Sequence, residues 1–143
     1  MRKNWTSETF ERANWPHGEW DDEPDRAEWT DVDTKLPCLI VRNLSGALCG
    51  YVGVPLDSTL AYKEYNALDD IDVHGGLTYS GTCSGKICHD ADEEAYWFGF
   101  DTAHYGDYCP ALDSLLSGPR VYQNIQYVTN EVTNLARQLK TRL

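Results

Sequence analysis

Val121, Ile125, Val128, Val132, Leu135 and Leu139 recur at steps of four and three, which draws one apolar stripe down a helix over residues 121–143. That stripe predicts a helix lying on a sheet; a coiled coil would need more heptads. Upstream, Leu36 to Val41 and Ala47 to Val54 are β-rich runs joined by Asn43-Leu44-Ser45-Gly46, the pattern of a β-hairpin. Gly50 and Gly53 inside the second run mark a bulge or a group packed close to the backbone. Ala95 to Phe100 reads as a core strand, and Leu60 to Leu68 as a short helix carrying Tyr62 and Tyr65. In Asp70 to His74 an extended chain would turn Ile71 and Val73 one way and Asp70, Asp72 and His74 the other. Residues 75–94 read as a loop, and 101–120 as a connection long enough to be functional or to hold a short helix. Residues 1–34 carry Trp5, Trp15, Trp20 and Trp29 among turn formers and fit neither period. They predict an irregular arm with a short helix near Ser7 to Ala13, its tryptophans docking on the sheet or on a second subunit. The expected whole is a single α+β domain over residues 1–143: an antiparallel sheet of four or five strands packed by the C-terminal helix, with a tryptophan-rich arm.

Charge narrows the partners. The chain of 143 residues has a formal net charge of -11, which would repel a phosphate backbone over most of its surface and argues against duplex nucleic acid. A small nucleotide in one local pocket is compatible with it. The arm is acidic, with ten acidic and four basic side chains, whereas residues 118–143 hold Arg120, Arg137, Lys140 and Arg142 against Glu131. No apolar run approaches membrane-spanning length and no hydrophobic signal core follows Met1 to Trp5, so the expected location is cytoplasmic. Five cysteines, an odd number without an export signal, predict reduced thiols. Cys83, Cys88 and His89 offer three zinc ligands at loose spacing, an alternative left open.

Two segments carry candidate chemistry. In Asp70 to Gly81, Asp72 and His74 share one face of an extended chain, Gly75 and Gly76 bring backbone N–H groups near a ligand, and Thr78, Tyr79 and Ser80 supply hydroxyls. The bland alternative is a tight turn with a hydrogen-bonded histidine. In Phe98 to Tyr108, Asp101 ends an apolar strand and His104 follows three residues later, with Tyr105 and Asp107 beside it; there the alternative is an N-cap. Two of four histidines, each flanked by Asp and Gly at a strand end, point to one shared site. Its expected catalytic groups are His74, His104, Asp72 and Asp101, with Gly75, Gly76, Thr78, Tyr79, Ser80, Trp97, Tyr105 and Asp107 binding the ligand. The same Asp/His set could hold a divalent metal, so the cofactor stays open. Ser80 lies in no GxSxG elbow, and the Asp72-Val-His-Gly-Gly76 string lacks the later blocks of metallophosphoesterases. Cys109 is a nucleophile only if it is not a buried structural thiol.

Trp20-Asp-Asp-Glu-Pro24, Leu36-Pro-Cys-Leu-Ile-Val41, Cys49-Gly-Tyr-Val-Gly-Val-Pro55, Asp72-Val-His-Gly-Gly-Leu-Thr-Tyr-Ser-Gly81, Ile87-Cys-His89 and Trp97-Phe-Gly-Phe-Asp101 through Gly106-Asp107 stand in this order. The combination resembles a family of small bacteriophage and prophage proteins, over roughly residues 20–140. Thr102 departs from it, standing where the resemblance leads one to expect a cysteine. The resemblance implies a phage accessory protein, and such proteins often counter host defence. Three readings follow: a protein that binds and hydrolyses a nucleotide-type signal at the Asp/His/Gly pocket, a sponge that sequesters the signal intact, and an acidic protein that blocks a host factor. A homodimer is left open.

Overall fold

A computed structural model describes residues 3–5, 12–88, 94–115 and 118–143. Its centre is an antiparallel sheet with strands β1 (Lys3–Trp5), β2 (Arg26–Thr30), β3 (Pro37–Arg42), β4 (Leu48–Pro55), β5 (Tyr79–Thr82) and β6 (Ala95–Asp101) in the order β1-β2-β3-β4-β6-β5. One helix, α1 (Ile125–Lys140), covers a face. This is the α+β architecture that the hydrophobic pattern predicts: five strands between residues 26 and 101, joined at one edge by the three-residue β1.

The β3–β4 hairpin turns where Asn43 and Gly46 require it. Asn43 Oδ1 accepts from the backbone of Ser45 and Ala47, and Gly46 takes φ +89°. Gly50 is the close approach its position suggested, because a Cβ there would stand 2.6 Å from both the Phe100 ring and Val132 of α1. The missing side chain lets the helix sit directly on β4 and β6. Val128, Val132, Leu135 and Leu139 of the stripe are fully buried against Ile40, Val52, Phe98 and Phe100. Leu135→Ala is expected to cost about 2–5 kcal/mol, read as a lower urea midpoint.

Several expectations need correction. Val121 lies outside the helix, exposed, in a parallel bridge with Asp107; α1 begins later because Asn124 caps it by accepting from the Tyr127 N–H. Arg26–Thr30 is a paired strand rather than irregular arm, concealed in sequence because Glu28, only 2% exposed, is buried beside Arg26 at 3.5 Å. Tyr79–Thr82 is likewise a strand on β6 and not loop. Trp20 and Trp29 of the arm bury within this chain, Trp20 stacked on Tyr108. The proposed helix near Ser7 to Ala13 lies largely outside the described residues; Arg12–Asn14 forms a single 3₁₀ turn. The Leu60 to Leu68 segment is helical only as a 3₁₀ turn at Tyr65–Leu68.

The other sheet face buries Leu39, Val41, Ala95 and Trp97, with Tyr51, Tyr79 and Ile87 packed on them. Over it folds a small hairpin in which Ser84 bridges Ile87 and Cys83 is disulfide-bonded to Cys88. Arg26 ties it down by donating to the carbonyls of Lys86 and Cys88. The expectation of reduced thiols therefore fails for this pair, because the bridge brings the two Cα atoms within 4.5 Å. Cys38, Cys49 and Cys109 are free and buried. Among the described residues no helix is long and apolar enough to cross a membrane.

Candidate functional site

Asp70 to His74 lies along α1 and does not form the extended run that alternation predicts: Asp70 ends a turn, Ile71 and Asp72 are irregular, and the chain turns again from Val73 to Gly76, whose N–H donates to the Val73 carbonyl. Ile71 and Val73 point into the core, as their alternation predicts, and side chains of one helix face take the backbone groups. Gln138 accepts from the Asp72 N–H at 2.8 Å, Asn134 and Gln138 donate to the Asp72 carbonyl, and Glu131 accepts from the His74 N–H. Arg142 closes the clamp with two bonds to the Asp70 carboxylate, which hold that carboxyl below its ordinary pKa.

So positioned, the His74 imidazole reaches a carboxylate far away in sequence. Its Nε2 lies 2.8 Å from Asp107 Oδ2, and its Nδ1 lies 2.8 Å from the Tyr127 hydroxyl. Asp107 is 3% exposed and also accepts from the His104 N–H and the Gln123 amide. A buried carboxylate with these donors keeps its place, so Asp107 assigns the proton on Nε2 to His74. Both nitrogens of His74 are thus engaged, and what the Asp107–His74 pair presents outward is the half-exposed phenol of Tyr127. Burial, and then the negative charges of Glu131 and Asp107, push that phenol's pKa up, so at neutral pH it is a proton donor rather than a phenolate.

His104 stands next to this pair, the two imidazole centroids 6.0 Å apart. Its Nε2 is 3.2 Å from Asp101 Oδ1, near enough for an ion pair but off-line for a hydrogen bond. Asp101 is fixed in turn by the Ala103 N–H and the Thr78 hydroxyl, so it closes a turn instead of capping a helix. Nδ1 of His104 has no partner among the described residues and the side chain is 34% exposed, which makes it the free imidazole of the group. The ring rests on Gly75, where a Cβ would come within 2.3 Å of Nε2 and where φ is +69°. Gly76, at φ +79°, has nothing within 4 Å of where a Cβ would stand, while its N–H donates to the Val73 carbonyl at 2.8 Å, so what it leaves open is space rather than a donor. Gly75→Ala is expected to lose about 1 kcal/mol or more of stability and to displace His104, visible as a moved His104 ring resonance.

The structure brings together His74, His104, Asp101, Asp107, Gly75, Gly76 and Thr78, with the 96% exposed Tyr105 at the rim. Asp72 does not join them through its carboxylate; it serves through its backbone, and Asp107 is the acid that meets His74. Tyr79 and Trp97 pack on the opposite sheet face, Trp97 fully buried, and Ser80 accepts from the Tyr65 N–H. Cys109 is a buried thiol whose pKa burial pushes up, the structural alternative for that residue. No group of three or more His, Cys, Asp and Glu side chains among the described residues is arranged to hold a metal ion. In the loose zinc set, Cys83 and Cys88 are spent on their disulfide and His89 lies outside the described residues. Tyr127 and Gln123 were missed by sequence reading. The signal for Tyr127 was the polar face Tyr127, Glu131, Asn134, Gln138, spaced four, three and four on the helix; Gln123 precedes the helix and has no such signal. Compared with known protein families, curated proteins and solved structures, the chain matches none.

Proposed function

We propose that this chain binds a small phosphate-bearing ligand of nucleotide type at the His74–His104 cluster and hydrolyses a phosphodiester bond in it. The observation that supports this reading is one imidazole with an unpartnered nitrogen, His104, beside a phenol backed by a buried Asp–His pair, next to the open space over Gly76. In the working state His74 is an imidazolium that donates from Nε2 to Asp107 and from Nδ1 to the Tyr127 oxygen, freeing the phenolic proton to point outward. His104 Nδ1 takes a proton from the attacking water as the new P–O bond forms. Tyr127 gives its proton to the leaving oxygen as the old bond breaks and regains one from His74. The open space over Gly76 leaves room for the phosphate oxygens. The resemblance to phage proteins supplies the setting: a nucleotide signal of host defence, met in the host cytoplasm.

A second reading, sequestration without turnover, is favoured by the saturation of His74, which leaves the ligand one free imidazole instead of two. Incubation with cyclic dinucleotides, cyclic ADP-ribose isomers and NAD, with and without EDTA, followed by chromatography of free and heat-released fractions, separates the readings. A new product peak is the expected result, and its loss in EDTA would add a metal. An intact ligand released only by heat would replace hydrolysis with sequestration; no change in any compound would sink both.

A further inference from the structure

Arg120 has no counterion among the described residues of a chain whose formal net charge is -11. No carboxylate among the described residues pairs with it, and its Nε is buried with no hydrogen-bond partner. Its guanidinium carbon lies 5.4 Å above the Tyr105 ring, and Tyr105 is 96% exposed, so the ring's other face is open to a ligand. Arg120 also lines a pocket of about 280 Å³ with Tyr108, Cys109, Leu112, Asp113 and Gly118. Asp113 accepts from the Tyr108 hydroxyl and puts negative charge into that pocket, so an anion drawn to Arg120 stays at the Tyr105 rim. The rim adjoins the first site: His104 immediately precedes Tyr105, and the Val121 N–H after Arg120 donates to the Gly106 carbonyl.

A guanidinium that pairs with no carboxylate suits the paired oxygens of a phosphate, and an exposed ring suits a nucleobase. We infer that Arg120 and Tyr105 form a second subsite, in which the guanidinium takes a phosphate and the open face of Tyr105 stacks a base. Resting on the function proposed above, this makes the ligand a molecule with at least two phosphates, of the cyclic dinucleotide type, rather than a mononucleotide.

The test is calorimetric titration of the full chain at low salt with cyclic di-AMP, cyclic di-GMP and 5′-AMP. Wild type is compared with Arg120→Gln, Tyr105→Ala and His104→Gln, each checked for wild-type melting. Arg120→Gln is expected to weaken the dinucleotides about tenfold or more, and Tyr105→Ala by about fivefold or more, with a smaller loss for 5′-AMP. Dinucleotide affinities unchanged in both variants would overturn the subsite while leaving the His104 reading standing. A loss in Arg120→Gln with none in His104→Gln would do the reverse. Wild type binding none of the probes would contradict both.

Discussion

Arg42→Ala is expected to lower folding stability by about 3–5 kcal/mol, the largest effect of any single substitution outside the apolar core. The Arg42 guanidinium is 1% exposed and fully engaged. Its Nε donates to Asp25 at 2.6 Å, its Nη1 to the Gly46 carbonyl and the Tyr122 hydroxyl, and its Nη2 to Glu23. Removal leaves two carboxylates behind, Asp25 at 1% and Glu23 at 9% exposure, with Arg12 as the cation still bonded to Asp25. An uncompensated buried charge is what makes breaking such a network costly, even where replacing all of it by apolar groups would not be. The damage also travels. Glu23 accepts from the Ile125 N–H at 2.7 Å and from the Tyr122 hydroxyl, so it seats the first turn of α1, from which Tyr127 projects. The variant's ligand affinity should fall along with its urea midpoint. A loss under 1 kcal/mol would mean that water reaches these charges and that they do not anchor the helix.

His104→Gln is expected to reduce turnover by about 10²- to 10⁴-fold, the range general acid–base groups supply, with melting close to wild type. The side chain is a third exposed and its only polar side-chain partner among the described residues is Asp101, so its loss removes chemistry more than packing. Tyr127→Phe deletes one oxygen and should act in the same range, since it removes the proton donor while the ring keeps its T-shaped contact with His74. Asp107→Asn gives the finer test: the amide cannot balance an imidazolium at His74, so it should resemble Tyr127→Phe in rate although Asp107 never faces the ligand. Thr78→Val, which frees one oxygen of Asp101, should cost far less. Equal rates for wild type and His104→Gln would remove His104 from the reaction.

The helix was legible because its burial is one-sided and periodic, and the β3–β4 hairpin and β6 because they are continuous apolar runs buried on both faces and bounded by turn formers. Arg26–Thr30 was illegible for the opposite reason: Glu28 is buried in it, so its pattern of polar and apolar residues does not follow exposure. Tyr79–Thr82 is an edge strand of intermediate exposure and looked like the loop it follows. In the site, the two histidine segments could be singled out by composition, and Asp101 with His104 by their three-residue spacing. The partnership of His74 with Asp107, across 33 residues, depends on how 70–74 lies along α1, and Tyr127 on where Asn124 starts that helix. Neither tertiary fact is written in local spacing. Alternation in an extended chain places Asp72 on the face of His74; the segment instead bends at Val73 and turns at His74, and α1 grips the Asp72 backbone.

The measurement that tests the central claim most directly is an NMR titration of the histidine ring resonances with cyclic di-AMP and cyclic di-GMP. His17, His74, His89 and His104 are the four histidines, so single substitutions assign them. The account predicts a saturable shift of the His104 ring with one of these ligands, a smaller shift at His74 transmitted through Tyr127, and none at His17, which lies exposed beside Asp21. Ring signals of His104 and His74 that stay fixed while the ligand binds elsewhere, or while nothing binds, would contradict it.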